Sequence, residues 1–226
     1  SDFSLFRATA GQPEILASHG IRLGGTDFDQ AVSLAHAMPL LGLGGQLRRQ
    51  MGSDLLPVPR APFVDLATWA KIPFLYAPDT RRLAADMVKM AVEPAVLGRF
   101  KTVLDEELGH GLAFAVERGK IAANRDGGLG RIAMDEIEPG LSALVTPDSL
   151  DAALLTHRSA LRQAAAETLA MAGCSPSDVG EVILVGGSSL MRLVGDEMRA
   201  LLPQAPIRSA EAFTAVVDGL ALAAAG

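Results

Sequence analysis

Four apolar residues in a row, Val182-Ile183-Leu184-Val185, run into Gly186-Gly187-Ser188-Ser189, and a helical pattern with Met191, Val194 and Met198 follows. Two glycines at the carboxyl end of a strand let a ligand approach bare backbone, and the first N–H groups of a helix, lacking internal partners, favour anionic oxygens. The same turn also arises from plain chain geometry, and by itself it divides evenly between the two readings. A second glycine pair, Gly24-Gly25, lies in LGGTDFD, residues 23–29, between a strand pattern and a helix opening at Thr26. Alone it reads as a tight turn. In VERGKIAAN, residues 116–124, Glu117 and Lys120 stand three apart on one helical face. A carboxylate and an ammonium suit sugar hydroxyls. Taken alone, though, the pair is a solvated contact of about 0.2–0.5 kcal/mol.

The elements that must position these segments follow from periodicity. Residues 2–10 and 14–23 alternate as two strands around the turn at Gly11, Gln12 and Pro13. Thr26 is placed to cap a helix whose apolar face is Phe28, Val32 and Ala35. The glycines and prolines of 42–62 read as a linker into another subdomain. A helix over 81–92 precedes Pro94, and a long helix over 95–124 carries Val96, Phe100, Val103, Leu104 and Leu108, with tight packing expected at Gly109 and Gly111. A hairpin over 130–145 follows, with Ile132 and Met134 on one arm and Leu141, Ala143 and Val145 on the other. Thr146 and Pro147 open a helix that stops near Gly173. A capped turn at 175–178, the strand at 182–185, a short strand at 205–208 and a helix over 212–225 complete the chain. The expectation is an α/β core of 1–41 and 150–226, with one mixed sheet and flanking helices, and an inserted, mostly helical subdomain over 42–149 with a small β-sheet.

Bulk properties narrow the classes. Hydrophobic residues make up 49% of the 226, ample for a core, and a net charge of -6 with scattered Lys and Arg argues against nucleic acid. A single cysteine, Cys174, excludes an internal disulfide and reads as a packing residue. The histidines at 19, 36, 110 and 157 have no partners at zinc-ligand spacing. No apolar run approaches the roughly 20 residues that span a bilayer, and no signal segment is visible, so a cytoplasmic location without membrane is the default. The chain opens directly into SDFSLFRATA without an initiator Met, which reads as a chain cut within a fold.

Taken together, in this order and spacing, the segments resemble the second lobe of the ATPase domain of the 70-kDa heat-shock (DnaK-like) family. SDFS resembles the strand after that family's second phosphate loop. LGGTDFD looks like its GG-x-D-F-D segment, VERGKIAAN like its adenosine-facing E-x-A-K helix, and VILVGGSS like its second adenosine segment. AVVDGLALAAA, residues 215–225, is similar to its closing helix. The resemblance implies an actin-like (ribonuclease H-like) lobe of a molecular chaperone that binds ATP or ADP with Mg²⁺ and works as an ATP-driven conformational switch. It implies Glu117 and Lys120 on the ribose hydroxyls, Asn124 in place of a serine that bonds adenine, Gly186 and Gly187 against nucleoside and phosphates with Ser188 and Ser189 beside them, Gly24 and Gly25 on the floor, and Asp2 near the metal. The implied partners are the N-terminal lobe of the same chain, a nucleotide-exchange factor and client proteins.

The departures from the family's pattern are specific. Leu190 occupies the place of an arginine that stacks on adenine, Glu211-Ala212-Phe213-Thr214 replaces N-P-D-E, and Arg192 stands where proline is common. These changes fit a divergent member of the shorter YegD type. The first phosphate loop and catalytic lysine belong upstream of Ser1, so no catalytic residue is assigned here, and this stretch alone is expected not to hydrolyse ATP. Two other readings stay open: an actin-superfamily cytoskeletal or division protein, and a sugar-kinase-like lobe.

Overall fold

The computed structural model describes residues 1–8, 13–49 and 52–209. The elements, in chain order, begin with strands β1 (Asp2–Arg7) and β2 (Glu14–Gly20), helix α1 (Gly25–Val32), β3 (Gln46–Arg48) and β4 (Leu55–Pro57). Helices α2 (Ala61–Leu66), α3 (Pro78–Met90), α4 (Pro94–Asp105) and α5 (Gly109–Ala123) follow. The remainder is β5 (Gly130–Ala133), β6 (Ser142–Val145), α6 (Pro147–Ala153), α7 (Leu155–Met171), β7 (Val182–Leu184), α8 (Arg192–Leu201) and β8 (Ile207–Ser209). The class is mixed α/β with small sheets. The expected turn at 11–13 lies mostly outside the described residues, as do the helix at 212–225 and the 211–214 segment. Among the described residues no helix is long and apolar enough to cross a membrane.

The chain packs as two compact units, 1–25 with 155–226, and 26–154. The glycine-rich stretch that set the expected boundary near 42 lies inside the second unit. Gly42 ends a 3₁₀ turn at φ 111°, and a Cβ there would meet Leu97 Cδ2 at 2.6 Å, so this glycine serves close packing within the unit. Residues 42–62, expected as a linker, also hold the short antiparallel ladder of β3 and β4.

In the first unit β1 and β2 form an antiparallel ladder, Asp2 opposite Gly20 and Leu5 opposite Ala17. β7 and β8 pair in parallel, Val182 opposite Ile207. The expected single mixed sheet is corrected here: among the described residues these are two separate two-stranded ladders. Hydrogen bonding does not join them. They share instead a small core in which Leu5 and Val182 pack with Leu169, Leu202 and Ala205. α7 lies along the β1–β2 ladder and against α8. It ends as expected at Gly173, whose φ of 65° is the left-handed stop that glycine adopts without strain.

In the second unit the hairpin β5–β6 pairs Gly130 with Val145 and Ile132 with Ala143, and Ile132, Met134, Ala143 and Val145 are buried. α5 packs on it. Thr146 and Ser149 form a reciprocal capping box at the start of α6, with Pro147 in the first helical turn. The helix expected to continue to Gly173 breaks at Leu154 into α6 and α7, where the chain leaves this unit. α1 starts one residue before Thr26, so Thr26 is not its cap. Phe28 and Val32 are fully buried, whereas Ala35 is exposed because the helix widens into a π turn over Ser33–Ala37 and rotates that residue outward.

The long helix expected over 95–124 is two helices. Glu107, between α4 and α5, has φ 57°, a conformation that no continuous helix contains. Tyr76 holds this corner: its hydroxyl donates to Glu107 O and accepts from Gly109 N, both at 3.1 Å. The Arg81 guanidinium donates to Tyr76 O, Asp105 O and Glu107 Oε1. A Cβ at Gly109 would stand 2.6 Å from Ile72 Cγ2 and 2.8 Å from the Tyr76 hydroxyl, so this glycine is required where the chain turns. Tyr76→Phe removes both hydroxyl bonds and should cost about 1 kcal/mol of stability. Faster hydrogen exchange at the Gly109 amide, with the α3 amides unaffected, is the expected signature; unchanged exchange there would show that the corner holds without Tyr76.

Candidate functional site

In the first unit, β7 ends at Leu184 and the chain reaches Gly186 at φ 87° and ψ 161°, a conformation that side-chain-bearing residues rarely adopt. Nothing lies within 4 Å of where a Cβ on Gly186 would stand, so the turn has open space beside it. The Ser189 hydroxyl donates to Gly186 O at 2.6 Å and closes the turn. Ser188 Oγ lies 3.7 Å from the position of a Cβ on Gly25. The two glycine segments, about 160 residues apart in sequence, therefore adjoin within one unit.

One expectation changes here. The glycines lead into a short 3₁₀ turn, Gly187–Leu190, and α8 begins only at Arg192. The first turn of α8 therefore comes after the glycine turn, and backbone and serine hydroxyls are what the turn itself presents. Leu190, at the expected position of a stacking arginine, ends the 3₁₀ turn with 55% of its surface exposed.

Asp2 is exposed on β1, its carboxylate oxygen 2.6 Å from where a Cβ on Gly20 would be. Glycine opposite it leaves room for the acid to lie across the ladder. No group of three or more His, Cys, Asp or Glu converges anywhere among the described residues. A Mg²⁺ held chiefly by phosphates and water needs only one or two carboxylates, so a single aspartate at a strand end fits that ion and not a caged one such as structural Zn²⁺.

In the second unit the side chains of VERGKIAAN separate in environment. Lys120 is buried, 6% exposed, and its ammonium lies 2.8 Å from Asp29 Oδ1. Asp29 is the last residue of LGGTDFD, so this segment, too, is brought to a partner that spacing had singled out separately. The contact is an ion pair; Oδ1 has no aligned hydrogen-bond donor. Burial pushes the Asp29 carboxyl above its usual range, the Lys120 ammonium opposes this, and the charge of Glu117 adds to the rise. Glu117 itself is exposed, and Asn124 is half-buried at the C-cap of α5. The pairing of Glu117 with Lys120 as equivalent hydroxyl ligands is thus uneven: one is available to solvent and the other is committed to Asp29.

The glycine of this motif has a structural role. A Cβ on Gly119 would meet Ile132 Cγ1 at 2.9 Å, and one on Gly130 would meet the Gly119 carbonyl oxygen at 2.0 Å. α5 and β5 cross with backbone nearly touching backbone, which fixes where Lys120 enters the interior.

Beside Asp29 and Glu117 the second unit holds a cleft of about 330 Å³ that Thr26, Ser33, Leu112 and Trp69 also line. Trp69 is 52% exposed, and its ring meets His110 edge-on at 5.4 Å between centroids. Neither Asp29 nor Trp69 stood out in the sequence as a site residue. The position of Asp29 in LGGTDFD, one helical turn after the glycines, was the signal for the first; for Trp69 there was none. No protein-family model matches the chain.

Proposed function

We propose that this chain is the adenosine-side lobe of a nucleotide-binding domain like that of the 70-kDa heat-shock chaperones, working in the complete protein as a switch driven by ATP. The observation that carries the proposal is the place of residues 23–29. Gly25 adjoins Ser188 of the glycine turn in the first unit, and Asp29 pairs with Lys120 of the VERGK helix in the second. Each of the two contacts lies within its own unit, and each joins segments that are individually ordinary in sequence.

In this reading the open backbone at Gly186 and Gly187 takes the phosphate side of the nucleotide, with Gly24 and Gly25 as floor and Ser188 and Ser189 beside them. Glu117 takes ribose hydroxyls directly. Lys120 contributes by holding Asp29 and the helix in place. Asp2 would hold Mg²⁺, whose charge neutralises phosphate oxygens. Hydrolysis belongs to the complete protein, because phosphoryl transfer needs charge and positioning on both sides of the phosphate.

Calorimetric titration of the full-length protein with ADP tests this. Glu117→Ala alters an exposed side chain and should weaken ADP about fivefold or more with little change in thermal midpoint. Lys120→Ala should weaken ADP and also lower the midpoint, because it leaves the Asp29 carboxylate without its counter-charge. ADP affinity unchanged in both variants would remove the site. With Leu190 in place of an arginine, the preference for ADP over GDP should be small.

A further inference from the structure

The cleft of the second unit is bordered by Glu117, the proposed ribose contact, and the rest of its lining suits a ligand other than a nucleotide. Its lining is apolar apart from two carboxylates and two hydroxyls, and none of the described lining residues is Lys or Arg. Lys120 balances one of the two negative charges, Asp29, and Glu117 is left over. The charge count of the three side chains at the cleft is therefore one negative. Two aromatic rings, Trp69 and Phe114, line the same space, each about half exposed at 52% and 51%. Aromatic faces attract cations, and they also receive the apolar body of a ligand. The volume, about 330 Å³, lies at the lower end of the range for small-molecule sites.

We propose that this cleft binds a small organic ammonium ion, its cationic head toward Glu117 and Asp29 and its apolar stem against Leu112, Trp69 and Phe114. The sign follows from the net charge: with Asp29 paired to Lys120, an anion of the same size would face the remaining charge of Glu117. The inference does not rest on the nucleotide reading. It concerns one unit alone, and its ligand carries no phosphate.

Trp69 is the only tryptophan of the chain, so its emission reports on this cleft directly. The test titrates the protein with 3-phenylpropylammonium and with 3-phenylpropanol, which keeps the stem and lacks the charge, and follows both Trp69 emission and ligand-observed NMR. The ammonium should bind saturably, and the alcohol at least about fivefold more weakly. Glu117→Gln, on an exposed side chain of unchanged size, should reduce ammonium affinity by at least about threefold and leave the alcohol unaffected. Phe114→Ala should weaken both. Equal affinity for the two ligands, no saturable binding by either method, or an unaltered ammonium affinity in Glu117→Gln would each overturn the proposal. Glu117 is also the proposed ribose contact, so the ammonium and ADP should compete where both bind; ADP binding is measured separately, and its failure leaves the ammonium result standing.

Discussion

Gly130→Ala should lower the stability of the second unit by about 3 kcal/mol or more. The added Cβ would stand 2.0 Å from the Gly119 carbonyl oxygen and 3.1 Å from Ala123 Cβ. A clash with a flexible side-chain end can relax by rotation, but Gly119 O belongs to the α5 backbone. Relief requires the helix and strand to separate, which opens the contacts around Ile132 and Val116. Gly119→Ala is the informative comparison. Its Cβ meets Ile132 Cγ1 at 2.9 Å, a side-chain atom, with Arg131 backbone at 3.3 Å, so about 1–2 kcal/mol is expected. Urea unfolding followed by Trp69 emission reads this unit by itself. A loss below about 0.5 kcal/mol for Gly130→Ala would mean that helix and strand do not cross as closely as described. Because Lys120 follows Gly119, ligand binding at Glu117 should weaken in parallel with stability in both variants.

The second large effect is expected in the first unit. Glu197 on α8 is buried, 2% exposed, and carries a charge. Two guanidiniums from α7 satisfy it: Arg158 Nε donates to Oε1 at 2.8 Å and Arg162 Nε to Oε2 at 2.6 Å. Glu197→Ala removes the acceptor that Arg158 and Arg162 share and opens a gap between α7 and α8. Losing one partner of a buried ion pair costs about 3–5 kcal/mol; because Arg162 is half exposed and can rehydrate, about 3 kcal/mol is the expected value. Around this pair the two helices also bury Leu161 and Ala164 of α7 and Leu193 and Met198 of α8.

The pH dependence follows with a definite sign. Burial alone would raise the Glu197 carboxyl, but the hydrogen bonds from Arg158 and Arg162 outweigh it and hold the group below its usual range. A carboxyl whose folded value is depressed contributes stability that is complete above the unfolded value of about 4.3 and is lost as pH falls through the folded value. Glu197→Gln keeps the volume and removes the titration. Its deficit against the parent should be about 2 kcal/mol at neutral pH and should shrink below about pH 4. Asp29 works in the opposite direction: its folded value is raised, so it costs stability above that value and the cost fades on acidification. Circular dichroism on the α7–α8 amplitude against urea, at neutral pH and at pH 3.5, checks the first; a Glu197→Gln deficit that is the same at both would contradict the pairing.

Local chemistry was legible wherever neighbours in sequence decide the outcome. The capping box at Thr146 and Ser149, the stop at Gly173, the hairpin with Ile132, Met134, Ala143 and Val145 inward, and the strand at Val182 all follow from propensity, period and turn residues. So did the three segments of the candidate site, because glycines and charged pairs are visible one at a time. Periodicity failed where a backbone departs from its regular form at a single residue. A stripe of Phe100, Val103, Leu104 and Leu108 continues smoothly through Glu107 in sequence, yet the chain turns there, because the Tyr76 hydroxyl and the Arg81 guanidinium, both distant in sequence, take up the broken backbone groups. The same limit hid the π turn that exposes Ala35.

Charge partners were decided only by tertiary structure. Glu117 and Lys120 look alike at their spacing of three, and nothing local says that one remains in solvent while the other is buried on Asp29. Nor does local pattern join Glu197 to Arg158 and Arg162, or place Trp69 beside Glu117. An apolar residue announces its burial through the period of its own element, because the hydrophobic effect is non-directional and any core will satisfy it. A buried charge needs one particular partner at one distance and angle, supplied from another element. That pairing, and the cleft it borders, come into being only when the elements pack.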